Sequence, residues 1–359
     1  MIEKLLTIVI PTYNMEQYLD KNLKTLVIPD KELMKFLEVL VINDGSKDGS
    51  SAIAHRYQDL YPDTFRVIDK ENGNYGSCVN RGLKEARGKY IRIMDADDWY
   101  ETENLELFLR KIENVNVDKI ATIFSEVRLT EKRIMPQPYQ PEVVMDMKDV
   151  SVVHYIPMHA ITYRTQLLRD MQYMQTEGIS YTDQEWILLP MPYVKTLYYI
   201  PLDIYQYYIG REGQTMDSSI IAKAYPQLFR ILRGVLDFYV VSIKYASNPE
   251  YVLETITRTV CWIYYVAFIS ARFTGNTDCV YDMDCYLEQT YPTIFQRLND
   301  NTCTRLYDYK YVNEWRKKGR PLKYRWNHIR MYKLTHLYIM AYHLPGYIYN
   351  GIKRRILKQ

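Results

Sequence analysis

The chain has 359 residues, of which 47% are apolar, and its net charge is only +3; that is enough apolar material for one large core or two ordinary ones. Its five cysteines form no CxxC pair and leave one over, which argues against a disulfide framework or a zinc site and makes a reducing, cytoplasmic setting the default. The small net charge hides an asymmetry: residues 310–359 hold 13 Lys or Arg against one acid, Glu314, and the remainder holds 33 against 42.

The opening, MIEKLLTIVIPTYN, is a short apolar run followed at once by Pro11 and polar residues, so it reads as a first strand and not as a signal peptide. Short runs rich in Ile, Val, Leu and aromatics predict strands at Leu5–Ile10, Leu37–Ile42, Phe65–Ile68, Tyr90–Met94 and Ile120–Val127. Between them lie segments of helical length, Gln17–Leu26, Gly49–Asp59 and Ser77–Ala86. This alternation predicts an α/β fold, a mostly parallel sheet with helices on both faces. Ligands of such sheets bind at the carboxyl ends of the strands, where Pro11, Asp44 and Asp95 fall. After a proline-punctuated stretch at 136–141, residues from Ser218 onward read only as helices, at Ser218–Lys244, Glu250–Phe273 and Asp282–Leu298. The apolar run Thr259–Ala271 is 13 residues long, short of the roughly 20 a spanning helix needs, and so predicts a buried helix. The expected organisation is an α/β domain over 1–217, a helical region over 218–309 that offers a surface for a homo-oligomer, and a basic tail over 310–359.

Four carboxylates sit where two predicted strands end: Asp44 and Asp48 in VLVINDGSKDGS, and Asp95 and Asp97 in KYIRIMDADDWY. A carboxylate just past a strand end accepts the imide N–H of uracil and repels cytosine, which has a bare acceptor at that position. Asp44 is placed to make that choice. The i, i+2 spacing of Asp95 and Asp97 puts both on one side of an extended chain, one to meet a ribose hydroxyl and the other a divalent cation, Mg²⁺ or Mn²⁺, bridging a diphosphate. The glycine-rich stretch ENGNYGSCVNRG, with Asn72, Gly76 and Asn80, lets backbone approach a ligand and precedes a helix whose N-terminus favours phosphate. Taken singly these are ordinary features, since a DxD occurs on many surfaces and NDGS is a common turn that opens a helix. Their joint placement at strand ends points to a nucleotide diphosphate.

TIVIPTYNMEQYLDKNLKTL, VLVINDGSKDGS and ENGNYGSCVNRGLKEARGKYIRIMDADDW, in that order, resemble the nucleotide-binding domain of the family 2 glycosyltransferases, which have the GT-A fold. The resemblance is dense over about residues 5–100 and looser to about 220. It implies inverting transfer of a sugar from a nucleotide diphosphate, most often a UDP-sugar, with Mg²⁺ or Mn²⁺ as cofactor. By position it assigns Pro11, Thr12, Tyr13 and Asn14 to the loop around the base, Asp44 to the base itself, Asp95 to ribose and metal, and Asp97 to the metal. Val79 stands where many members carry an arginine toward the diphosphate; the form NG-x-x-GS-x-x-N-x-G fits a bacterial subset instead. SYTDQEW resembles the acidic motif that supplies the general base. Asp183 is then the base and Thr182 replaces the usual glutamate, although either residue can instead cap a helix. YYIGREGQT resembles a loop that closes over the donor, in which Arg211 either holds the leaving diphosphate or is a solvated surface arginine. His159 faces the acceptor side or is a satisfied structural histidine.

In the tail, Trp315, Tyr324, Trp326, Tyr332, Tyr338, Tyr342, Tyr347 and Tyr349 are interleaved with cations, and Leu334, Leu337, Ala341 and Leu344 recur at helical spacing. The pattern fits first an amphipathic helix on an anionic membrane surface and second a helix packed on the protein's own body; a nucleic-acid face is the remaining reading, and no nucleic-acid partner is expected. The sequence therefore predicts a metal-dependent glycosyltransferase acting on a glycan or lipid-linked acceptor in bacterial surface polysaccharide synthesis, peripheral on the inner face of the membrane. The rival is a catalytically silent nucleotide-sugar-binding or scaffold protein. A nucleotidyltransferase is disfavoured because PTYNMEQY contains neither the glycine nor the cation needed to grip a triphosphate.

Overall fold

The computed structural model describes residues 3–151, 154–211, 218–274, 277–300 and 311–322. In chain order it begins with β1 (Lys4–Thr12), α1 (Glu16–Lys24), α2 (Lys31–Met34), β2 (Leu37–Asn43), α3 (Ser50–Leu60), β3 (Phe65–Asp69), α4 (Asn74–Glu85) and β4 (Gly88–Ile93). Apart from the short α2, these are the strands and helices that the apolar runs and the segments between them predict. Every residue of β2 is buried, as expected of a parallel strand covered on both faces. Its one carboxylate, Glu38, accepts from the Thr7 hydroxyl at 2.7 Å and from Arg66 at 2.7 Å, so the charge is paired inside the sheet.

Next come β5 (Trp99–Tyr100), α5 (Thr102–Ile112), β6 (Lys119–Arg128), β7 (Glu131–Met135), β8 (Val144–Asp146), β9 (Ile161–Arg164), α6 (Thr165–Asp170), α7 (Asp183–Leu188) and β10 (Thr196–Tyr208). The sheet runs β3-β2-β1-β4-β9-β6-β10-β5, with β7 paired to β6 and β8 to β10. β3, β2, β1 and β4 are mutually parallel, as are β6 and β10, and β9 joins the two halves antiparallel to both neighbours. The result is a mostly parallel α/β sheet. In register, Thr12 lies opposite Asn43 and Val9 opposite Ile93. The segments that follow β1, β2 and β4 therefore leave the sheet at one edge.

The rest is helical: α8 (Ser218–Ser242), α9 (Pro249–Thr274), α10 (Asp278–Thr290), α11 (Pro292–Asp300) and α12 (Tyr311–Lys317). The helix expected at Asp282–Leu298 is two helices, broken at Tyr291 with Pro292 as the first residue of the second. Proline lacks the N–H that would continue α10 and suits the first turn of a new helix. The chain forms two compact units, residues 1–220 with 230–256, and residues 221–229 with 257–359. Residues 230–256 join the α/β unit through contacts such as Asn248, which donates to the carbonyls of Met147 and Val150, and Tyr251, which donates to the carbonyl of His154 at 3.0 Å. In the second unit a fully buried carboxylate, Asp284, pairs with Arg316 at 2.5 Å and Arg320 at 2.8 Å, which ties α12 to α10. Among the described residues no helix is long and apolar enough to cross a membrane. The predicted tail helix lies outside the described residues, apart from 311–322.

Candidate active site

The segments after β1 and β2 are latched to each other. The Asp44 N–H donates to the Thr12 carbonyl at 2.8 Å. The Asn14 N–H donates to the Ser46 hydroxyl at 3.0 Å, the Lys47 N–H to the Asn14 side-chain oxygen at 2.8 Å, and the Glu16 N–H to Asp48 at 3.0 Å. Asp48 also caps α3 by accepting from the Ser50 N–H at 3.0 Å. This corrects the expectation for part of the base loop. Asn14 is held at φ 53° and its side chain is spent on the neighbouring loop, and Thr12 is buried with its hydroxyl on the Ile10 carbonyl. Pro11 ends β1 opposite Ile42. Tyr13 is 46% exposed and presents its ring to solvent, the one member of the four with a face to offer a base.

Asp44 is 2% exposed and fully engaged. Its carboxylate accepts from the Lys70 ammonium at 2.5 Å, the Gly73 N–H at 2.9 Å and the Asn74 N–H at 2.9 Å. The last two lie at the start of α4, which has no cap of its own at Gly73, so Asp44 satisfies this helix end from another strand. The free acceptor expected at this position is thus an internally bonded one. Asn72 donates to the Asp44 carbonyl at 3.0 Å and completes the turn.

Two residues assigned to donor binding have other work. Asn80 accepts from the Gln175 N–H at 2.8 Å and donates to the Gln175 carbonyl at 3.0 Å and to Glu177 at 2.9 Å. A side chain on Gly76 would overlap the Thr176 carbonyl, so the glycine is required for close approach of α4 to that loop. Both residues therefore help to fix the segment leading to Asp183. Val79 is buried in the core.

Each acid of the DADD segment has its own partner. Asp95 accepts from the Tyr75 hydroxyl at 2.8 Å. Asp97 forms an ion pair with Arg211, whose guanidinium also lies 5.6 Å from the Tyr18 ring. Asp98 is buried, accepting from the Tyr205 hydroxyl at 2.6 Å and the Tyr208 N–H at 2.7 Å. The Tyr205 hydroxyl accepts in turn from the Asp95 N–H at 3.0 Å, so β10 clamps the segment through a single phenol. Burial, with the Asp97 charge next, pushes the Asp95 carboxyl up to about 7. Asp98 is raised by burial and by the charges of Asp97 and Asp95.

His159 lies against these acids rather than apart from them. Its ring is stacked on Tyr207 with centroids 4.3 Å apart and meets Tyr205 edge-on at 4.9 Å. Burial, and then the Arg92 charge, lowers it to about 3, so the imidazole is neutral. Ligand atoms of Asp95, Asp98 and His159 all lie within 4.8 Å of one another, and His159 Nδ1 is buried without a hydrogen-bond partner. Two carboxylate oxygens and an unpaired imidazole nitrogen fit a divalent cation. The triad differs from the expected Asp95 and Asp97 pair because Arg211 holds Asp97.

Asp183 opens α7, and Thr182 before it makes no side-chain cap. Burial pushes Asp183 up to about 6 despite a 3.3 Å hydrogen bond from Gln184. Its charge is felt at Asp95, Tyr75, Tyr155 and Tyr207 and raises each of them. Glu185 in the same motif is structural: it is 4% exposed and accepts from the Thr176 N–H at 2.7 Å and hydroxyl at 2.6 Å. Sequence reasoning missed Lys70, Tyr75, Asp98 and Tyr205. Only Asp98, adjacent to the DxD, carried a local signal. A cleft of about 760 Å³ at the amino ends of β1 and β4 is lined by Lys4, Lys89 and Arg169, but each of these cations already donates to main-chain carbonyls.

The sheet order and the strand-end acids describe an α/β fold of the GT-A type. Residues 7–171, a little under half of the chain, match the model of glycosyl transferase family 2. The chain is 28% identical over 215 residues to an uncharacterized glycosyltransferase of Mycoplasma pneumoniae, the MG025 homolog, covering 59% of this chain and 70% of that one. It is 26% identical over 255 residues to the poly(ribitol-phosphate) β-N-acetylglucosaminyltransferase TarS of Staphylococcus aureus, covering 70% of this chain but 44% of TarS. The crystal structure of residues 1–349 of S. aureus TarS with UDP-GlcNAc has the same fold, with a TM-score of 0.52 at 18% identity over 82% of this chain and 91% of that one.

Proposed function

We propose that the chain is an inverting glycosyltransferase that moves a sugar, hexosyl or N-acetylhexosaminyl, from UDP to a hydroxyl of a glycan or lipid-linked acceptor. The observation that carries this reading is the bonded path from Asp44 through the 73–75 turn to Asp95, with Asp183 in electrostatic reach of Asp95. A nucleotide spanning that path has its base near Asp44 and Tyr13 and its diphosphate near Asp95, Asp97 and Arg211. The description of TarS with UDP and UDP-GlcNAc favours uracil as the base.

Asp95 and His159, with Asp98 beside them, would hold the cation, Mn²⁺ or Mg²⁺. When bound, such a cation supplies electrophilic stabilisation of the departing diphosphate. Asp183 takes the proton of the acceptor hydroxyl as its oxygen bonds the anomeric carbon. The bond from that carbon to the diphosphate oxygen breaks on the opposite face, and the configuration inverts. The raised affinity of Asp183 for protons suits a base that works near neutral pH. Arg211 offers forked donors to the leaving diphosphate. The basic segment 310–359 brings the enzyme to an anionic membrane surface, where acceptors for surface polysaccharide are presented.

The reading is tested by UDP release from a panel of UDP-sugars with Mn²⁺. Release that Asp183→Asn abolishes while UDP binding persists supports it. UDP binding with no turnover towards any acceptor, unchanged by Asp183→Asn, makes the protein a silent nucleotide-sugar binder.

A further inference from the structure

We propose that Tyr75 is a positioning residue that links recognition of the base to the acid at the ribose and metal end of the donor site; this rests on the nucleotide reading given above. Asp44 holds the N–H groups of Gly73 and Asn74. Asn74 sits at φ 66°, a left-handed conformation that asparagine tolerates better than most residues and that here is held by its N–H bond to Asp44. Gly76, on the other side, is pressed against the Thr176 carbonyl. Tyr75 is therefore clamped at both flanks, and the place of its hydroxyl follows from the backbone.

That hydroxyl donates to Asp95 Oδ1 at 2.8 Å and touches Met158 Sδ at 3.8 Å. Among the described residues it is the one hydrogen-bond donor to the Asp95 carboxylate. The remaining hydrogen bonds of Asp95 are made by its backbone, to Tyr205 and Asn22, and do not orient the carboxylate. Without the phenol, nothing sets which oxygen faces the ligand. A base N–H arriving at Asp44 shares its two oxygens with Lys70, Gly73 and Asn74 and so weakens their hold. It loosens the 73–75 turn and moves the hydroxyl that orients Asp95.

The experiment compares UDP affinity with and without Mn²⁺ for the unsubstituted chain, Tyr75→Phe and Tyr75→His. A charge-assisted hydrogen bond is lost in the first variant and a ring donor is kept in the second. Tyr75→Phe is expected to bind UDP without Mn²⁺ within about twofold of the unsubstituted chain, to lose about tenfold of the gain conferred by Mn²⁺, and to unfold at the same temperature. Tyr75→His restores part of the gain. An undiminished Mn²⁺ gain in Tyr75→Phe overturns the inference and leaves the donor site standing, as does an equal loss with and without Mn²⁺. Absence of UDP binding by the unsubstituted chain removes the donor-site reading and this inference together.

Discussion

The Arg211 guanidinium is paired with the Asp97 carboxylate, with 15% and 9% of their side chains exposed. The group expected to grip the diphosphate thus neutralises the acid expected to meet the cation. A divalent cation approaching Asp97 must compete with that arginine, and displacement frees the guanidinium for phosphate. Arg211→Gln is therefore expected to bind Mn²⁺ several-fold more tightly in the absence of nucleotide and UDP about tenfold more weakly in its presence. Manganese EPR and UDP titration check the two signs. Changes of the same sign in both would show that the pair has no such exchange.

Asp183 must be a carboxylate to accept a proton. Burial sets its midpoint at about 6, so it is protonated below that pH and kcat/KM should fall tenfold per unit as pH drops further. Asp183→Asn is expected to lower kcat by about 10²- to 10⁴-fold with little change in donor KM. A pH-rate profile on a good donor and acceptor pair tests both. An acid limb that persists unchanged in a residually active Asp183→Asn enzyme would assign it to another group.

Asn80 and Gly76 fix the segment at 175–177 rather than the donor. Asn80→Ala removes three hydrogen bonds to that segment and is expected to cost roughly 1–3 kcal/mol, several degrees of thermal midpoint, while UDP affinity stays within a few-fold. Gly76→Ala should be destabilising for the steric reason. Calorimetry beside UDP titration separates the roles: weakened UDP binding at an unchanged unfolding temperature would return Asn80 to the donor site.

Residues 310–359, with 13 cations against one acid, should confer binding to anionic lipid. Flotation with vesicles containing phosphatidylglycerol is expected to carry the full chain and not a version ending near Lys310. Equal flotation of the two would dispose of membrane attachment through this segment.

How far the sequence could be read depended on the range of the interactions involved. The first four parallel strands were legible because a strand buried on both faces, such as LEVLVIN, is mostly apolar, with Glu38 tolerated only because it is paired. β9 and β10 carried no such mark. β10 holds Pro201 and Asp203 and shifts register beside them, and β9 has a place only because two distant strands flank it. Asp44, Asp95 and Asp183 were legible from their positions, but their partners were not. Lys70 is 26 residues from Asp44, Arg211 is 114 from Asp97, and Tyr75 is 20 from Asp95. Among 36 tyrosines, nothing local distinguishes the four, Tyr75, Tyr155, Tyr205 and Tyr207, that lie around the acids. The bonds of Asn80 to residues 175 and 177 were not legible either, because its motif is the same whether it serves a phosphate or a loop.

The most direct test is a crystal structure of the chain with UDP and Mn²⁺. The account predicts uracil beside Asp44 and Tyr13, the cation within bonding distance of Asp95 with His159 or Asp97, and the diphosphate on that cation. Density for UDP away from Asp44, or a cation bound elsewhere than beside Asp95, would contradict it.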